Sequence, residues 1–183
     1  LMIGRDIAQV FPSRPPAASR PEPLLEARDL RWQDRLRGIS LSVGRGEIVG
    51  LGGLDGQGQR ELLLALFGVL KDVSGEVKVD GAATAIGSPK AAIATGPGIA
   101  LIPEDRKTGG LMLRMSIRDN LAMASLGKLS TGGVLDPTRE ARAIDEMTRT
   151  LQIKLGQLDD PVTSMSGGNQ QKVVIGKWLA TDP

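Results

Sequence analysis

Gly53, Gly56 and Gly58 punctuate the stretch "VGLGGLDGQGQREL", residues 49–62, where an apolar run bends and leads into leucine-rich helical spacing. Glycines placed this way permit positive backbone dihedrals and let main-chain N–H groups converge on an anion at the positive end of the following helix. That is the build of a phosphate-binding loop, G-x-x-x-x-G-K-[ST], but the positions of its lysine and its magnesium-binding hydroxyl hold Gln59 and Arg60. Gln59 is neutral, and Arg60 has no lone pair to offer a metal. Glu61 adds a carboxylate in the first helical turn, which suits the helix dipole but competes with a bound triphosphate. On these residues alone, a backbone anion cradle and a glycine-rich turn without a ligand are equally good readings. A second candidate lies in "SMSGGNQQKVVIGKWLA", residues 164–180, where Ser166, Gly167, Gly168, Asn169 and Gln170 head a helix with a hydroxyl and bare N–H groups. Alone it reads as an ordinary N-cap. Two such anion sites, more than 100 residues apart, are harder to dismiss together.

The rest of the chain must position these residues. Its 183 residues are 40% apolar and only 2% aromatic, so an aliphatic core of Leu, Val, Ile and Ala has to do the packing. A net charge of +2, with two Phe and two Trp, gives neither the field nor the stacking surfaces expected of a nucleic-acid binder. The absence of Cys and His excludes disulfides, zinc sites of the usual ligands and any histidine-based triad. No apolar stretch approaches the roughly 18 residues of a spanning helix.

Five prolines in residues 12–23, "PSRPPAASRPEP", mark an extended linker, with residues 1–11 as the tail of something upstream. "PLLEARDLRW" and "GISLSVGRGE" read as strands around the polar turn "QDRLRG". The apolar run "EIVGLGG" reads as a buried strand, and residues 59–68 as a helix with Leu62, Leu63, Leu66 and Phe67 on its spacing and Gly68 closing it. "GEVKVDG" alternates as a strand. "SPKAAIATG" is a short helix with Ser88 as N-cap, Pro89 at its first position and Gly96 as terminator. "GIALIP", residues 98–103, reads as another buried strand. Beyond it only helices are expected. One starts at the capping-box-like pair Ser116 and Asp119, one at Asp136-Pro137 with Ala141, Ile144, Met147 and Leu151 on a face, and one near 167–180. Strands alternating with helices up to about 103 predict a parallel, helix-covered sheet, and the remainder predicts a helical lobe.

At these residues the sequence resembles the ATP-binding proteins of ABC transporters, and among them the tandem ATPases of bacterial carbohydrate importers. "MSGGNQQK" is similar to the ABC signature, "IPEDRKTGGL" to the segment around the Q-loop, and "GEIVGLGGLDGQGQRELLLALFG" to the Walker A region of a second ATPase half. The order and gaps agree over nearly the whole chain.

The resemblance implies an α/β, P-loop NTPase sheet lobe at 24–103 and a helical subdomain at 104–183 that stops at "WLATDP", before the family's Walker B strand. Residues 1–23 would be the end of a preceding half and a linker. A sheet without that strand leaves apolar faces uncovered, so the chain alone is expected to be marginal or to associate. The resemblance assigns ATP to Trp32, Gly53, Gly56, Gly58, Gln59, Arg60 and Glu61, with Trp32 stacking on adenine or merely covering an edge strand. Mg²⁺ at this loop is left open by Gln59 and Arg60, and Glu104 stands where the Q-loop glutamine belongs. Ser166, Gly167, Gly168, Asn169 and Gln170 would contact ATP held by the Walker A of a partner half.

The implied partners are the first ATPase half or a second copy, transmembrane permease subunits and, indirectly, a solute-binding protein, on the cytoplasmic face of a bacterial inner membrane. Met112 and Met115 would suit contact with membrane subunits or core packing equally. Arg106 and Lys107 read as a solvated turn. A regulatory or assembly module without nucleotide, and a nucleoside importer, stay open as alternatives.

Overall fold

The computed structural model of the protein describes residues 22–85 and 87–183; the linker expected at 12–23 lies almost wholly outside them. Strands β1 (Pro23–Trp32) and β2 (Leu36–Gly44) form a hairpin. Strand β3 (Ser74–Val79) pairs with the other edge of β1, and the short β4 (Ala82–Ala83) completes a sheet ordered β2-β1-β3-β4. Every ladder in that sheet is antiparallel. Helix α1 (Gln59–Leu66) lies on it, burying Leu62, Ala65 and Leu66 against Ala27, Leu30 and Leu36. Leu63, expected on the buried face, is exposed.

Gly68 ends α1 because the chain there needs a left-handed residue with no side chain. Its φ is +75°, its N–H donates to Ala65 O, and Val69 N–H donates to Leu64 O. This double bond satisfies carbonyls that the helix end would leave open. A Cβ on Gly68 would also lie 2.7 Å from the Ser88 backbone, at the N-cap of α2 (Pro89–Ala94), so one glycine sets the spacing of two helices.

Two expected strands do not form. Residues 47–54 and 98–103 have no ladder partner, and Ile48 in the first is 97% exposed. A run of apolar residues becomes a buried strand only when a neighbour on each side takes its N–H and C=O groups. Among the described residues neither run pairs with another strand, and the sheet that forms is antiparallel rather than the parallel one predicted.

The second core belongs to the helical part. Helices α3 (Ile117–Ala122), α4 (Leu126–Leu129), α5 (Pro137–Thr150) and α6 (Gly167–Leu179) follow, with a small hairpin of β5 (Ser130–Thr131) and β6 (Val134–Leu135) before α5. Ile117, Leu121, Ile144, Val162, Val173 and Val174 form its centre. Local chemistry fixes the helix starts. Ser116 accepts from Asp119 N–H while the Asp119 carboxylate accepts from Ser116 N–H, a full capping box. Asp136 accepts from Thr138 N–H at 2.9 Å and Arg139 N–H at 3.2 Å. Asp136→Ala should cost about 1 kcal/mol of stability, read as a lowered urea midpoint with unchanged slope. Ala141, expected on the inner face of α5, is exposed, whereas Ile144 is buried.

Candidate functional site

The loop before α1 is closed on itself. Leu54 N–H donates to Gln57 Oε1 at 3.1 Å, and Gln59 Nε2 donates back to Leu54 O at 3.3 Å. Gln59 lies so close across the bend that a Cβ on Gly53 would fall 2.1 Å from its amide nitrogen. Arg35, a residue the sequence reading passed over, binds Gly56 O through Nη1 at 3.0 Å, and its own carbonyl abuts Gly58. Gly58 occupies the N-cap position with φ 102°, so no side chain caps α1 and its first N–H groups stay open. Arg60 is exposed beside them, and Glu61 is half-buried. A cavity of ≈ 390 Å³ opens beneath the loop, bounded by Leu36, Ile39, Leu51 and Leu62 with Gly52 and Gln59. Its walls are chiefly apolar. It is the gap under the unpaired 47–54 run.

These residues can hold an anion through main-chain N–H groups, while Arg60, at the place of the magnesium-binding hydroxyl, brings no lone pair. Trp32 is half-buried, packed on the first core, and its Nε1 donates to Lys71 O at 2.9 Å.

The second candidate has a different character. Ser166 precedes α6 in extended backbone, exposed, and its hydroxyl makes no cap bond to the helix. Instead Asn169 Nδ2 donates to Ser166 Oγ at 3.1 Å, while Asn169 Oδ1 accepts from Lys154 N–H at 3.0 Å. A hydroxyl whose lone pair is taken this way points its proton elsewhere. Gly167 and Gly168 are both exposed, so the N–H groups of the first turn are not covered by side chains.

Gln170 departs from the outward role expected of it. It is 7% exposed, and its Nε2 donates inward to Met165 O at 3.1 Å and Val162 O at 3.4 Å, steadying the 3₁₀ turn Val162–Ser164. Its Oε1 accepts from Arg106 Nε at 3.3 Å. Arg106 is therefore not the free solvated residue expected but a half-buried one laid across the head of α6. Lys107 is exposed as expected, as is Glu104.

The segment from Arg106 to Gly110 forms one π-helical turn capped by Asp105, whose carboxylate accepts from Lys107 N–H at 2.8 Å and Thr108 Oγ1 at 2.9 Å. Those bonds hold the Asp105 carboxyl below the usual range. Lys177, deep in α6 and 6% exposed, donates to Gly110 O, and burial pushes its ammonium below the ordinary lysine value. A lysine inside the apolar run "VVIGKWLA" was the available sign of this contact.

A sequence profile of the family described as ABC transporter matches residues 36–183. The chain belongs to the ABC transporter family.

"Ribose import ATP-binding protein RbsA 1" of Mesorhizobium japonicum is 60% identical over 184 residues, covering 100% of the chain and 36% of that protein. The protein of the same name from Rhizobium johnstonii is 55% identical over 183 residues, with the same coverage. The chain thus spans about a third of the length of these curated relatives. Among solved structures, a nucleotide-free ATP-binding cassette from an ABC transporter superposes with TM-score 0.70 at 18% identity, covering 88% of the chain and 66% of that one. A dimeric cassette in a post-hydrolysis state bound to ADP and Pi gives 0.66 at 16%, covering 87% and 70%. At such identities these two establish the fold, an ABC ATPase domain of mixed helix and sheet.

Proposed function

We propose that this chain is part of the ATP-binding component of a bacterial ABC importer for a carbohydrate, and that it contributes to turnover mainly through α6. ATP held by the Walker A loop of a partner half, either the other half of the same protein or a second copy, would dock its terminal phosphate on Ser166 Oγ and the N–H groups of Gly167 and Gly168. Fixed donors at a helix N-terminus stabilise charge developing on that phosphate without having to reorganise. The observation that carries this reading is the Ser166 hydroxyl. It is exposed, makes no cap bond to the α6 backbone and is oriented by the Asn169 side chain.

The Walker A loop would be the weaker site. It keeps open N–H groups at the start of α1, but Gln57 and Gln59 already occupy part of its backbone, and no step is assigned to a metal there. Sugar import is carried over from the ribose importers that the chain resembles. Permease subunits in the inner membrane, with a solute-binding protein beyond them, are the partners this role requires. The exposed Met112 and Met115 offer an adaptable apolar surface for the former.

The loop's self-closure also supports a second reading, an assembly half that binds no nucleotide. Two variants in the longer protein that carries this chain test the first. Ser166→Ala should lower ATP hydrolysis and ribose uptake about tenfold, the effect of one neutral hydrogen bond. Gln59→Ala should change them less than twofold by the same scale. The reverse order would sink the proposal, and loss in neither would favour the assembly reading.

A further inference from the structure

We infer that the Arg106–Gly110 turn fastens the Glu104 segment to the head of α6, with Arg106 and Lys177 as positioning residues for the signature. This rests on the reading of α6 proposed above.

The turn is held at both ends. At one, Arg106 Nε donates to Gln170 Oε1 at 3.3 Å, and Arg106 Nη2 lies 2.9 Å from where a Cβ on Gly167 would stand. The absent side chain at 167 is what lets the guanidinium lie against the first turn of α6. At the other end, Lys177 Nζ donates to Gly110 O. Between them, Gly110 packs against α6 with no room for a methyl group, since a Cβ there would sit 2.9 Å from Val174 Cγ2 and 3.3 Å from Pro103 Cγ.

Neither cation is held by an ion pair among the described residues, although Lys177 Nζ stands 5.4 Å from the centroid of the Trp178 ring. A guanidinium at a helix N-terminus opposes the dipole. Lys177 is buried with a carbonyl rather than a carboxylate as its partner. What both do is geometric. Arg106 fixes Gln170, Gln170 fixes the Val162 and Met165 carbonyls, and those carbonyls lead directly into Ser166. Each donor along the path holds the next, so the hydroxyl offered to a phosphate is aimed from the turn that follows Glu104.

Kinetics of ATP hydrolysis by the longer protein test this. Arg106→Ala should lower kcat about tenfold with KM for ATP within twofold, because a misaimed donor weakens the transition state without removing ground-state binding. Gln170→Ala should act alike, and the double variant should lose no more than the worse single one, since the two residues work in series. Lys177→Met, which keeps the buried stem, should show the same split between kcat and KM. Melting by circular dichroism accompanies each variant. Unchanged kcat in Arg106→Ala, or losses that multiply in the double variant, would overturn the inference, as would a fall in kcat matched by loss of folded protein. Ser166→Ala separates the two levels. If it is silent, the signature reading fails and takes this inference with it; if it is impaired while Arg106→Ala is not, only the inference fails.

Discussion

Gly168→Asp is expected to leave the fold intact and to reduce ATP turnover by about a thousandfold. A Cβ at position 168 meets nothing within 4 Å, and the residue does not require a positive φ. An aspartate in the first turn of a helix is favourable by roughly 0.3–1 kcal/mol through the dipole. Were the head of α6 only a solvated N-cap, the variant would be neutral or slightly more stable, with normal function. If a phosphate docks there, the new carboxylate meets like charge. At about 4 Å and an effective dielectric near 20 that repulsion is about 4 kcal/mol, or nearly three powers of ten in rate. On the function proposed above, the assay is ATP hydrolysis and carbohydrate uptake in the presence of the permease, beside a thermal melt. Wild-type turnover in a folded variant would remove the signature role.

The largest loss of stability is expected at Asn120, through Asn120→Leu. This side chain is fully buried in α3 and acts as a bracket for the Met112–Met115 turn before it. Its Oδ1 accepts from Met112 N–H at 2.8 Å, and its Nδ2 donates to Met112 O at 3.0 Å and Ser116 O at 2.9 Å. Leucine fills the volume but leaves Met112 N–H without a partner, whereas Met112 O keeps Met115 N–H and Ser116 O keeps the Asn120 main-chain N–H. A buried donor left unpaired costs about 1–3 kcal/mol, and the bonds lost with the amide nitrogen bring the expected total to about 2–4 kcal/mol. For a chain of this size that is a melting shift on the order of 5–15 °C, followed by far-ultraviolet circular dichroism. A shift under about 2 °C would mean that water reaches Met112 and repairs the loss.

Features that were legible in the sequence are those whose chemistry closes within four residues. Ser88 with Pro89, Ser116 with Asp119, and Asp136 with Pro137 begin helices where expected, because a cap needs only its own first turn. The β1–β2 hairpin also followed from its turn and flanking pattern. The runs at 47–53 and 98–103 failed as strands because a ladder needs a partner that periodicity does not supply. At the sites, composition located the glycines and Ser166 but not their bonds. "GQGQ" did not disclose that Gln57 and Gln59 close the loop, since the backbone they meet is brought near only by the bend. Gln170 looked like one of several polar residues at a helix head. Its inward turn follows from a 100° rotation per residue, which sets it about 160° round from Gly168 and on the same face as the buried Val173 and Val174, toward Val162 and Met165.

Phe67 and Trp178 meet edge to face, ring centroids 5.2 Å apart and planes at 88°. Each sits near the C-terminal end of a helix whose other end carries a candidate anion site, α1 with the Walker A loop and α6 with the signature. The two helices are therefore lever arms sharing an aromatic pivot. From Trp178 to Gly167 the arm of α6 is about 16 Å at 1.5 Å per residue, so a tilt of about 10° at the rings sweeps Ser166 through roughly 3 Å, the span of one hydrogen bond. The indole at the pivot is half-buried, with its Nε1 buried and unbonded among the described residues. Its emission is a native gauge of the angle between the two arms.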